Sequence, residues 1–200
     1  MQIIITGDTL HLHLPTGGTQ GAISIDTRAA AAAPPAPSPK ATALQPPAAG
    51  EYWADQGGYF ICTQPALLGL PARHLIFGDL EHDELAYGPY EDIEGARSQL
   101  DGAANTRALL AASDEHQAAK WAATYTADGH TDFHLPSRVD LLMAYVCAPQ
   151  LFKKSGWYWS STQTSRYNAF VQAFEDGGSN WDDKDDRHRA RACRWIPLTA

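Results

Sequence analysis

A run of alanine and proline divides the chain into two parts. Residues 29–49 read AAAAAPPAPSPKATALQPPAA and contain six prolines. Proline lacks a backbone N–H and clashes with the preceding helical turn, so the run excludes a continuous helix, and it cannot build a core. We therefore interpret 29–49 as a semi-extended linker between a short N-terminal segment, residues 1–28, and a body, residues 50–200.

The N-terminal segment has the residue pattern of short β-strands. Residues 2–5, 10–14 and 22–25 read QIII, LHLHL and AISI, which predicts three strands. The segment is too short to enclose a core, so we expect it to pack against another chain or another copy of itself. Its first residues have neither a basic region nor a long apolar run, and no secretory signal is predicted.

Charge and hydropathy exclude two classes of function. The formal net charge is −8, whereas nucleic-acid binding normally requires a basic face. No apolar run approaches the length that spans a bilayer, so membrane insertion is not expected.

Cys62, Cys147 and Cys193 lack the spacing of metal ligands, and their odd number fits reduced, mostly buried thiols.

The body reads as strands, then two helices, then strands. Strands are predicted on both sides of a Gly57-Gly58 turn and at 73–77, 157–162, 167–174 and 189–198. One helix is predicted at about 113–125, with Asp114 as its N-cap. A second helix begins with a capping-box pattern at Ser137 and Asp140 and ends near residue 147. This order of elements is that of an α+β domain.

Five motifs follow one another along the body. They are DGAANT at 101–106, LPSRVDLL at 135–142, WYWSST at 157–162, NAFVQAFEDG at 168–177 and RARACRWI at 189–196. In this order they resemble a bacterial and phage domain family marked by D-G-x-x-N-T, LPS/T-x-x-[DE]-L, Y-W-S-S-T and a final R-x-x-R strand. That family is similar to C-type lectins, in the branch shared with the formylglycine-generating enzyme. The resemblance implies a C-type lectin-like fold with two helices and a twisted antiparallel sheet.

A narrower resemblance is to the variable proteins of diversity-generating retroelements, such as the phage major tropism determinant. In those proteins, adenine-directed mutagenesis turns AAC-type codons into codons for residues such as Asn, Ser, Thr, Tyr, Asp, His, Arg or Gly. The segments QTSRYN, residues 163–168, and SNWDDKDDRH, residues 179–188, consist largely of such residues inside a constant-looking frame. Trp181 departs from the pattern, because its codon needs more than an adenine change from an Asn codon.

This resemblance implies a protein that binds a ligand or receptor through a changeable, exposed surface on its last strands. The candidate ligand-binding residues are Thr164, Ser165, Arg166, Tyr167, Gln172, Asn180, Trp181, Asp182, Asp183, Asp185, Asp186, Arg187 and His188. Tyr167 and Trp181 are the expected anchors, because large rigid rings contribute contact area at low entropic cost. The aspartates favour a basic partner.

The partner implied by the resemblance is a protein or surface receptor of a host or neighbouring cell. Display as a homotrimer on a virion tail or a cell surface would add avidity. We expect no catalytic activity, no cofactor and no metal site.

The aspartate cluster, at residues 182–186, leaves three interpretations open. The three interpretations are a calcium site, a solvated acidic loop and part of a protein-binding surface. The EF-hand pattern fails, because glycine is missing at its sixth position and glutamate at its twelfth. Lys184, Arg187 and Arg189 are near enough in sequence to reduce the like-charge repulsion, so a loop without a metal is tolerable.

Two other functions compete with receptor binding. The first is a fixed lectin-like module that binds carbohydrate. The second is an oxidase of the formylglycine-generating type, in which Cys193 would be a reactive thiol. Cys193 lies inside the last strand motif rather than in a loop of paired cysteines, which favours a buried side chain.

Several remaining residues are assigned to the structure of the domain. His130 and His134 have H-x-x-x-H spacing, but Gly129 and Pro136 mark this segment as a loop, so no zinc site is predicted. The residues expected in the core or in structural contacts with carboxylates and carbonyls are Trp157, Trp159, Arg189, Arg191 and Arg194.

Overall fold

The computed structural model describes residues 2–6, 9–13, 24–26 and 44–198. The chain divides into two compact units, residues 1–44 and 45–200. Residues 29–43 of the expected linker lie outside the described residues. Residues 45–49, which were also assigned to the linker, group with the second unit, where the backbone N–H of Glu51 donates to the carbonyl of Ala48 at 3.0 Å.

The first unit contains a three-stranded antiparallel sheet. Its strands are β1 (Gln2–Thr6), β2 (Thr9–His13) and β3 (Ser24–Asp26), in the order β1-β2-β3. The register places Gln2 opposite His13 and Thr6 opposite Thr9. These strands overlap the three segments in which the residue pattern predicts them.

Within residues 44–198, seven strands form one sheet. They are β4 (Tyr52–Trp53), β5 (Gly58–Gln64), β6 (Arg73–Ala86), β7 (Trp157–Gln163), β8 (Asn168–Ala173), β9 (Ser179–Asp183) and β10 (Arg187–Pro197). The strand order is β4-β5-β6-β10-β7-β8-β9. The α+β class is therefore confirmed. The pairs in this sheet are antiparallel, as expected, except that β10 inserts between β6 and β7 and runs parallel to β7.

Three α-helices, rather than the two expected, lie between β6 and β7 in the described part of the chain. They are α1 (Gly102–Ala112), α2 (Gln117–Thr124) and α3 (Arg138–Cys147). α3 begins with the predicted capping box, in which Ser137 N donates to Asp140 Oδ2 at 2.9 Å and Asp140 N donates to Ser137 Oγ at 3.2 Å. None of the helices in residues 44–198 has the length and apolar character needed to cross a membrane.

The helix predicted at 113–125 corresponds to α2, which begins at Gln117, and the prediction missed α1. Asp101 caps α1 by accepting a hydrogen bond from Ala104 N at 2.8 Å, so the helix begins eleven residues before Ser113, the residue that ends it. Asn105 and Thr106 are buried inside α1. Their side chains bond to other elements, which a reading of local capping patterns does not detect.

β7 is covered on both of its faces. Tyr158 and Trp159 are adjacent and fully buried, and neighbouring strand residues point to opposite faces. Trp159 packs in a cluster with Leu109 of α1, whereas Tyr158 packs with Leu141 of α3. Trp157 packs partly buried against the first cluster, so the assignment of both tryptophans to the core is confirmed.

Three of the sequence motifs meet at Asn105. Its Oδ1 accepts from Ser98 N at 3.0 Å, and its Nδ2 donates to Ser98 O at 2.7 Å and to Ser161 Oγ of β7 at 3.2 Å. The neighbouring Thr106 Oγ1 accepts from Leu135 N at 3.1 Å. The D-G-x-x-N-T motif therefore joins α1 to the Y-W-S-S-T strand and to the segment that begins α3.

Gly102 and Thr162 complete this polar junction. A Cβ at Gly102 would lie 2.7 Å from Leu135 O and from Ser137 N, so any larger residue would displace the backbone before α3. Thr162 Oγ1 donates to Ser98 O at 2.8 Å and accepts from Arg138 N at 3.1 Å. These are the physical reasons for the glycine in the first motif and the threonine in the third.

The arginines of the last strand make structural contacts, as predicted. Arg194 binds Asp132 through two hydrogen bonds, Nε to Oδ1 at 2.8 Å and Nη2 to Oδ2 at 3.1 Å. Arg191 Nε donates to a backbone carbonyl of β6 at 2.8 Å, and Arg189 Nε donates to Asp83 Oδ1 at 3.0 Å. The three guanidinium groups fasten β10 to the loops and strands around it.

His134 makes the stability of this fold dependent on pH. Its buried ring lies against Trp195, with ring centroids 4.7 Å apart, and burial lowers its pKa from 6.5 to about 4. Between these pH values the unfolded chain binds a proton at His134 that the folded chain does not bind. The free energy of unfolding therefore falls as the pH drops through this interval.

We predict that replacing His134 with phenylalanine flattens the pH dependence of stability between pH 6.5 and 4. The histidine contributes a loss on the order of 3 kcal/mol across this interval, at about 1.36 kcal/mol per pKa unit. Other groups titrate in both proteins and cancel in the comparison, including Asp140, whose pKa is raised by burial. Urea unfolding at a series of pH values measures the effect. The exposed His82, replaced in the same way, is the matched control, and equal slopes for His134→Phe and the wild type would contradict the prediction.

Candidate ligand-binding surface

Two loops of the second unit lie side by side. The first loop, residues 164–167, joins β7 to β8, and the second, residues 184–186, joins β9 to β10. Lys184 N donates to Tyr167 O at 2.9 Å, which ties the two loops together. The second loop carries the chain from β9, at the edge of the sheet, to β10, between β6 and β7.

Lys184 is buried although aspartates flank it on both sides. Its Nζ donates to Glu91 O at 2.5 Å and to Gln163 Oε1 at 2.8 Å, and its carbonyl accepts from Tyr87 N at 2.9 Å. Burial lowers the pKa of Lys184 to about 8. The expectation that Lys184 relieves repulsion among the aspartates is wrong, because its side chain points into the protein, where it anchors the second loop.

Gln163 links this lysine to a third segment of the chain. Its side chain is buried, with Oε1 accepting from Lys184 and Nε2 donating to Asp92 Oδ1 at 2.8 Å and to Ile93 O at 2.9 Å. Both the nitrogen and the oxygen of this amide are therefore hydrogen-bonded within the protein. Gln163 and Lys184 therefore both hold the segment at residues 90–93 beside the two loops.

Tyr167 belongs to an exposed aromatic pair. Its side chain is 55% exposed, and its ring packs edge to face on Tyr90, with centroids 5.6 Å apart. The Tyr90 hydroxyl donates to Asp185, and this hydrogen bond raises the pKa of Tyr90 to about 12. Arg166 Nε donates to Tyr90 O at 3.0 Å. Tyr90 was not among the candidates, because it is far from them in sequence and only the fold brings it to the loops.

One face of β9 continues this exposed region. Trp181 is 57% exposed and pairs in register with Phe170 of β8, and Asp183 pairs with Asn168. Asn168 Nδ2 donates to Asp183 Oδ1 at 2.6 Å. Because alternate residues of a strand share a face, Trp181 and Asp183 point in the same direction. Arg138 covers the Phe170 ring, with its Cζ 3.9 Å from the ring centroid.

The opposite face of β9 carries a different group. Asn180 is exposed there, and Asp182 lies with its Oδ2 2.9 Å from His188 Nε2. Desolvation and a hydrogen bond to Asp182 raise the pKa of Asp186. Ligand atoms of Asp182, Asp186 and His188 lie within 4.8 Å of one another, and the cluster is held together by its own hydrogen bonds. The predicted residues are therefore divided between two faces rather than gathered on one.

Gln172 does not belong to an exposed surface, and its inclusion among the candidates is corrected. The side chain is 2% exposed, and its Nε2 donates to Ala173 O at 2.8 Å. β8 lies between β7 and β9, and Gln172 pairs with Tyr158 on one side and Ser179 on the other. The residue is therefore buried in the interior of the sheet, although its amide chemistry is typical of surfaces.

Three further candidates have structural contacts. Thr164 and Ser165 are half-buried, and Ser165 Oγ accepts from Tyr167 N and Asn168 N, both at 3.1 Å. These side chains therefore stabilise the conformation of the first loop and are not free to contact a ligand. Arg187 is exposed at the beginning of β10, where its Nη1 donates to Glu84 O at 3.4 Å.

The exposed candidates that the structure brings together form one region, which we call the aspartate–tyrosine surface. Its members are Tyr90, Arg166, Tyr167, Trp181, Asp183 and Asp185. Two carboxylates against one guanidinium make it acidic, and three aromatic side chains give it apolar area. This combination suits contact with a basic partner.

Comparisons with known proteins assign no family. No protein-family model matches the chain, and no curated protein matches it. Among solved structures, a fimbrial protein from Bacteroides ovatus is similar, with a TM-score of 0.47 and 11% sequence identity. The alignment covers 62% of this chain and 36% of that one, so the similarity spans little more than a third of the fimbrial protein. A similarity of this size supports no conclusion about function.

We predict that replacing Lys184 with methionine destabilises the protein and loosens the second loop. The change leaves Glu91 O and Gln163 Oε1 without their donor inside the protein, at a cost of about 1–3 kcal/mol. Urea unfolding measures the stability, and faster amide exchange at Tyr87 is the expected sign of a looser loop, because this N–H donates to Lys184 O.

The matched control for this change is Lys154→Met, since Lys154 is exposed. Exposed substitutions of this kind usually change stability by no more than about 0.5 kcal/mol. Unchanged or increased stability in the Lys184 variant would mean that desolvation of the ammonium group outweighs its hydrogen bonds, and would contradict the anchoring role.

Proposed function

We propose that this chain is a ligand-binding protein that displays a diversified surface on a C-type lectin-like domain, in the manner of the variable proteins of diversity-generating retroelements. The observation that carries the proposal is the separation of surface from frame within the two changeable segments. Arg166, Tyr167 and Trp181 expose their side chains, whereas Gln163 and Lys184 in the same segments are buried and hold the loops.

The contacts among the motifs support the lectin-like part of the proposal. The resemblance rests on the order of the motifs along the chain. The hydrogen bonds of Asn105 and Thr106 connect three of these motifs in the folded protein. A junction of this kind fixes the strand that leads into the first loop. Side chains on the loops can then change without disturbing the hydrogen bonds of the frame.

The chemistry of the aspartate–tyrosine surface supports a basic protein partner. Tyrosine and tryptophan are enriched where partners make their strongest contacts, because they bury large areas with few rotatable bonds. The carboxylates of Asp183 and Asp185 would attract lysine or arginine and speed the encounter at low salt. We propose a receptor on a host or neighbouring cell as this partner, bound with added avidity if the protein is a homotrimer.

A fixed carbohydrate-binding module is the second candidate. The exposed Trp181 ring and the grouping of Asp182, Asp186 and His188 within 4.8 Å favour it, since aromatic faces and carboxylates are residue types that can hold a sugar and a cation. Glycan-array binding that EDTA abolishes would support this alternative. Protein binding that EDTA leaves unchanged would support the receptor-binding function.

The structure gives little support to an oxidase. Cys193 is fully buried, and burial raises its pKa well above the usual range. The thiolate is the reactive form of cysteine, so a thiol in this environment is a poor nucleophile and metal ligand. The side chain fits a core residue of β10.

We predict that the exposed positions of the changeable segments tolerate randomisation and the buried positions do not. The exposed set to be randomised is Arg166, Tyr167, Trp181, Asp183 and Asp185. Most members of this library are expected to fold, because exposed substitutions usually change stability by about 0.5 kcal/mol or less. Cell-surface display with protease selection and deep sequencing measures the folded fraction.

The matched control library randomises buried positions of β8 and of the same two segments, which are Gln163, Gln172 and Lys184. We expect most of its members to be lost in the same selection, because buried polar groups would be left without partners. Similar survival of the two libraries would overturn the division into frame and surface.

The DNA around the gene provides a second, independent test. We predict a reverse-transcriptase gene and a near-identical template repeat of the region that encodes residues 163–188. The gene should differ from the repeat only where the repeat has adenine, and these differences should fall in the codons of the exposed residues. Identical residues at 163–188 in sister genomes would contradict diversification while leaving a fixed binding module possible.

A further inference from the structure

β9 is an edge strand of the seven-stranded sheet. Within residues 44–198 it is the last strand in the order of the sheet, and it pairs with β8 alone. The strand at the other edge, β4, has two residues, whereas β9 has five. An exposed edge carries backbone N–H and C=O groups that can pair with another strand. β9 is therefore the edge that offers room for a further strand.

Two hydrogen bonds establish the side to which each residue of β9 directs its backbone. Ala173 N donates to Gly178 O at 2.8 Å, and Lys184 N donates to Tyr167 O at 2.9 Å. These pairs continue the register of β8 and β9 at its two ends. Because hydrogen-bonded and non-hydrogen-bonded pairs alternate in an antiparallel ladder, the two end pairs determine which pairs between them are hydrogen-bonded.

The alternation leaves two residues of β9 with open backbone groups. Asn180 and Asp182 hydrogen-bond to β8, whereas the backbones of Ser179, Trp181 and Asp183 point to the edge. Asp183 uses its outward groups locally, because its N–H donates to Asp182 Oδ1 at 3.1 Å and its C=O accepts from the second loop at 3.0 Å. Among the described residues, the N–H and C=O groups of Ser179 and Trp181 have no partner.

We propose that β9 binds its partner by strand addition, in which an extended segment of the partner pairs its backbone with Ser179 and Trp181. The segment would carry lysine or arginine beside Asp183 and a large apolar residue beside Trp181. These two residues of the segment are two positions apart, because Trp181 and Asp183 share one face of β9. The inference gives the form of the partner and rests on the proposed function for the existence of a protein partner.

Charge favours a basic segment over a second copy of β9. The strand reads SNWDD and contains two carboxylates and no cation. A second copy of the strand would supply no basic side chain to the exposed Asp183, and it would add further carboxylates at the same edge. Arg138 lies at the other end, where its Nε donates to Ser179 Oγ at 3.2 Å. The basic residue of the partner is therefore expected at the Asp183 end.

The test uses the full chain and the acetylated peptide amide Lys-Thr-Lys-Val-Leu-Thr-Thr. In antiparallel pairing, its leucine lies beside Trp181 and its second lysine beside Asp183. At a peptide concentration about ten times the Kd, amide exchange at Ser179 and Trp181 should slow about tenfold, because these N–H groups are unbound for only about a tenth of the time. NMR measures each amide, and exchange at Asn180, whose N–H already bonds to β8, should change less.

Two matched pairs of changes test the backbone contacts. N-methylation of the peptide leucine removes the N–H that would donate to Trp181 O and should weaken binding about tenfold or more, whereas N-methylation of the neighbouring valine, whose N–H points away from β9, should not. In the protein, Trp181→Pro removes an outward N–H that β8 does not use, and proline is tolerated at such edge positions. It should weaken binding more than Trp181→Ala does. The exchange measurement on the wild type does not depend on any variant folding.

The outcomes separate this inference from the proposed function. No binding of the peptide, or binding without slower exchange at Ser179 and Trp181, would overturn strand addition. Slower exchange at the same amides as the protein concentration rises, without peptide, would show pairing between two copies and would also overturn it. A peptide with glutamate in place of both lysines that binds equally well would contradict the basic partner of the proposed function and leave the backbone pairing standing.

Discussion

The second unit depends on the position of its last strand. β10 lies between β6 and β7, so it joins the strands that precede the helices to those that follow them. Its ladder with β6 extends from Arg187, opposite Ala86, to Pro197, opposite Arg73. The sheet is incomplete until this final segment is in place. The loop that precedes β10 is consequently held between an edge strand and the centre of the sheet, and this makes it a stable platform for exposed side chains.

Lys184 shows how an acidic loop can be held in one conformation. A charged group taken out of water carries a large desolvation penalty, and hydrogen bonds from its ammonium group must offset it. Here the acceptors are Glu91 O and Gln163 Oε1, which come from two other segments. The buried cation therefore specifies position, while the aspartates on either side remain in solvent. Exposed residues available to a partner and a buried residue that holds the loop therefore alternate within the same short segment.

Local sequence patterns determined the secondary structure of much of the second unit. The capping box of Ser137 and Asp140 marked the beginning of α3, because both partners of each hydrogen bond lie within one helical turn. Alternation predicted β5, β7, β8 and β10, since each has a face that is buried. The same reasoning missed β9, whose side chains are polar and largely exposed, so that pairing with β8 alone makes it a strand. It also missed α1, because the cap at Asp101 precedes a segment with only two large apolar residues, Leu109 and Leu110.

The sequence by itself determined that this is an α+β chain with structural arginines in its last strand and with Tyr167 and Trp181 at its surface. Only the tertiary structure decided that Lys184 and Gln172 are buried and that Tyr90 joins the exposed loops. The physical reason is the distance along the chain between partners. A helix cap or an alternating strand depends on a few consecutive residues. Burial of a polar side chain depends on acceptors and covering elements that folding brings from distant parts of the chain.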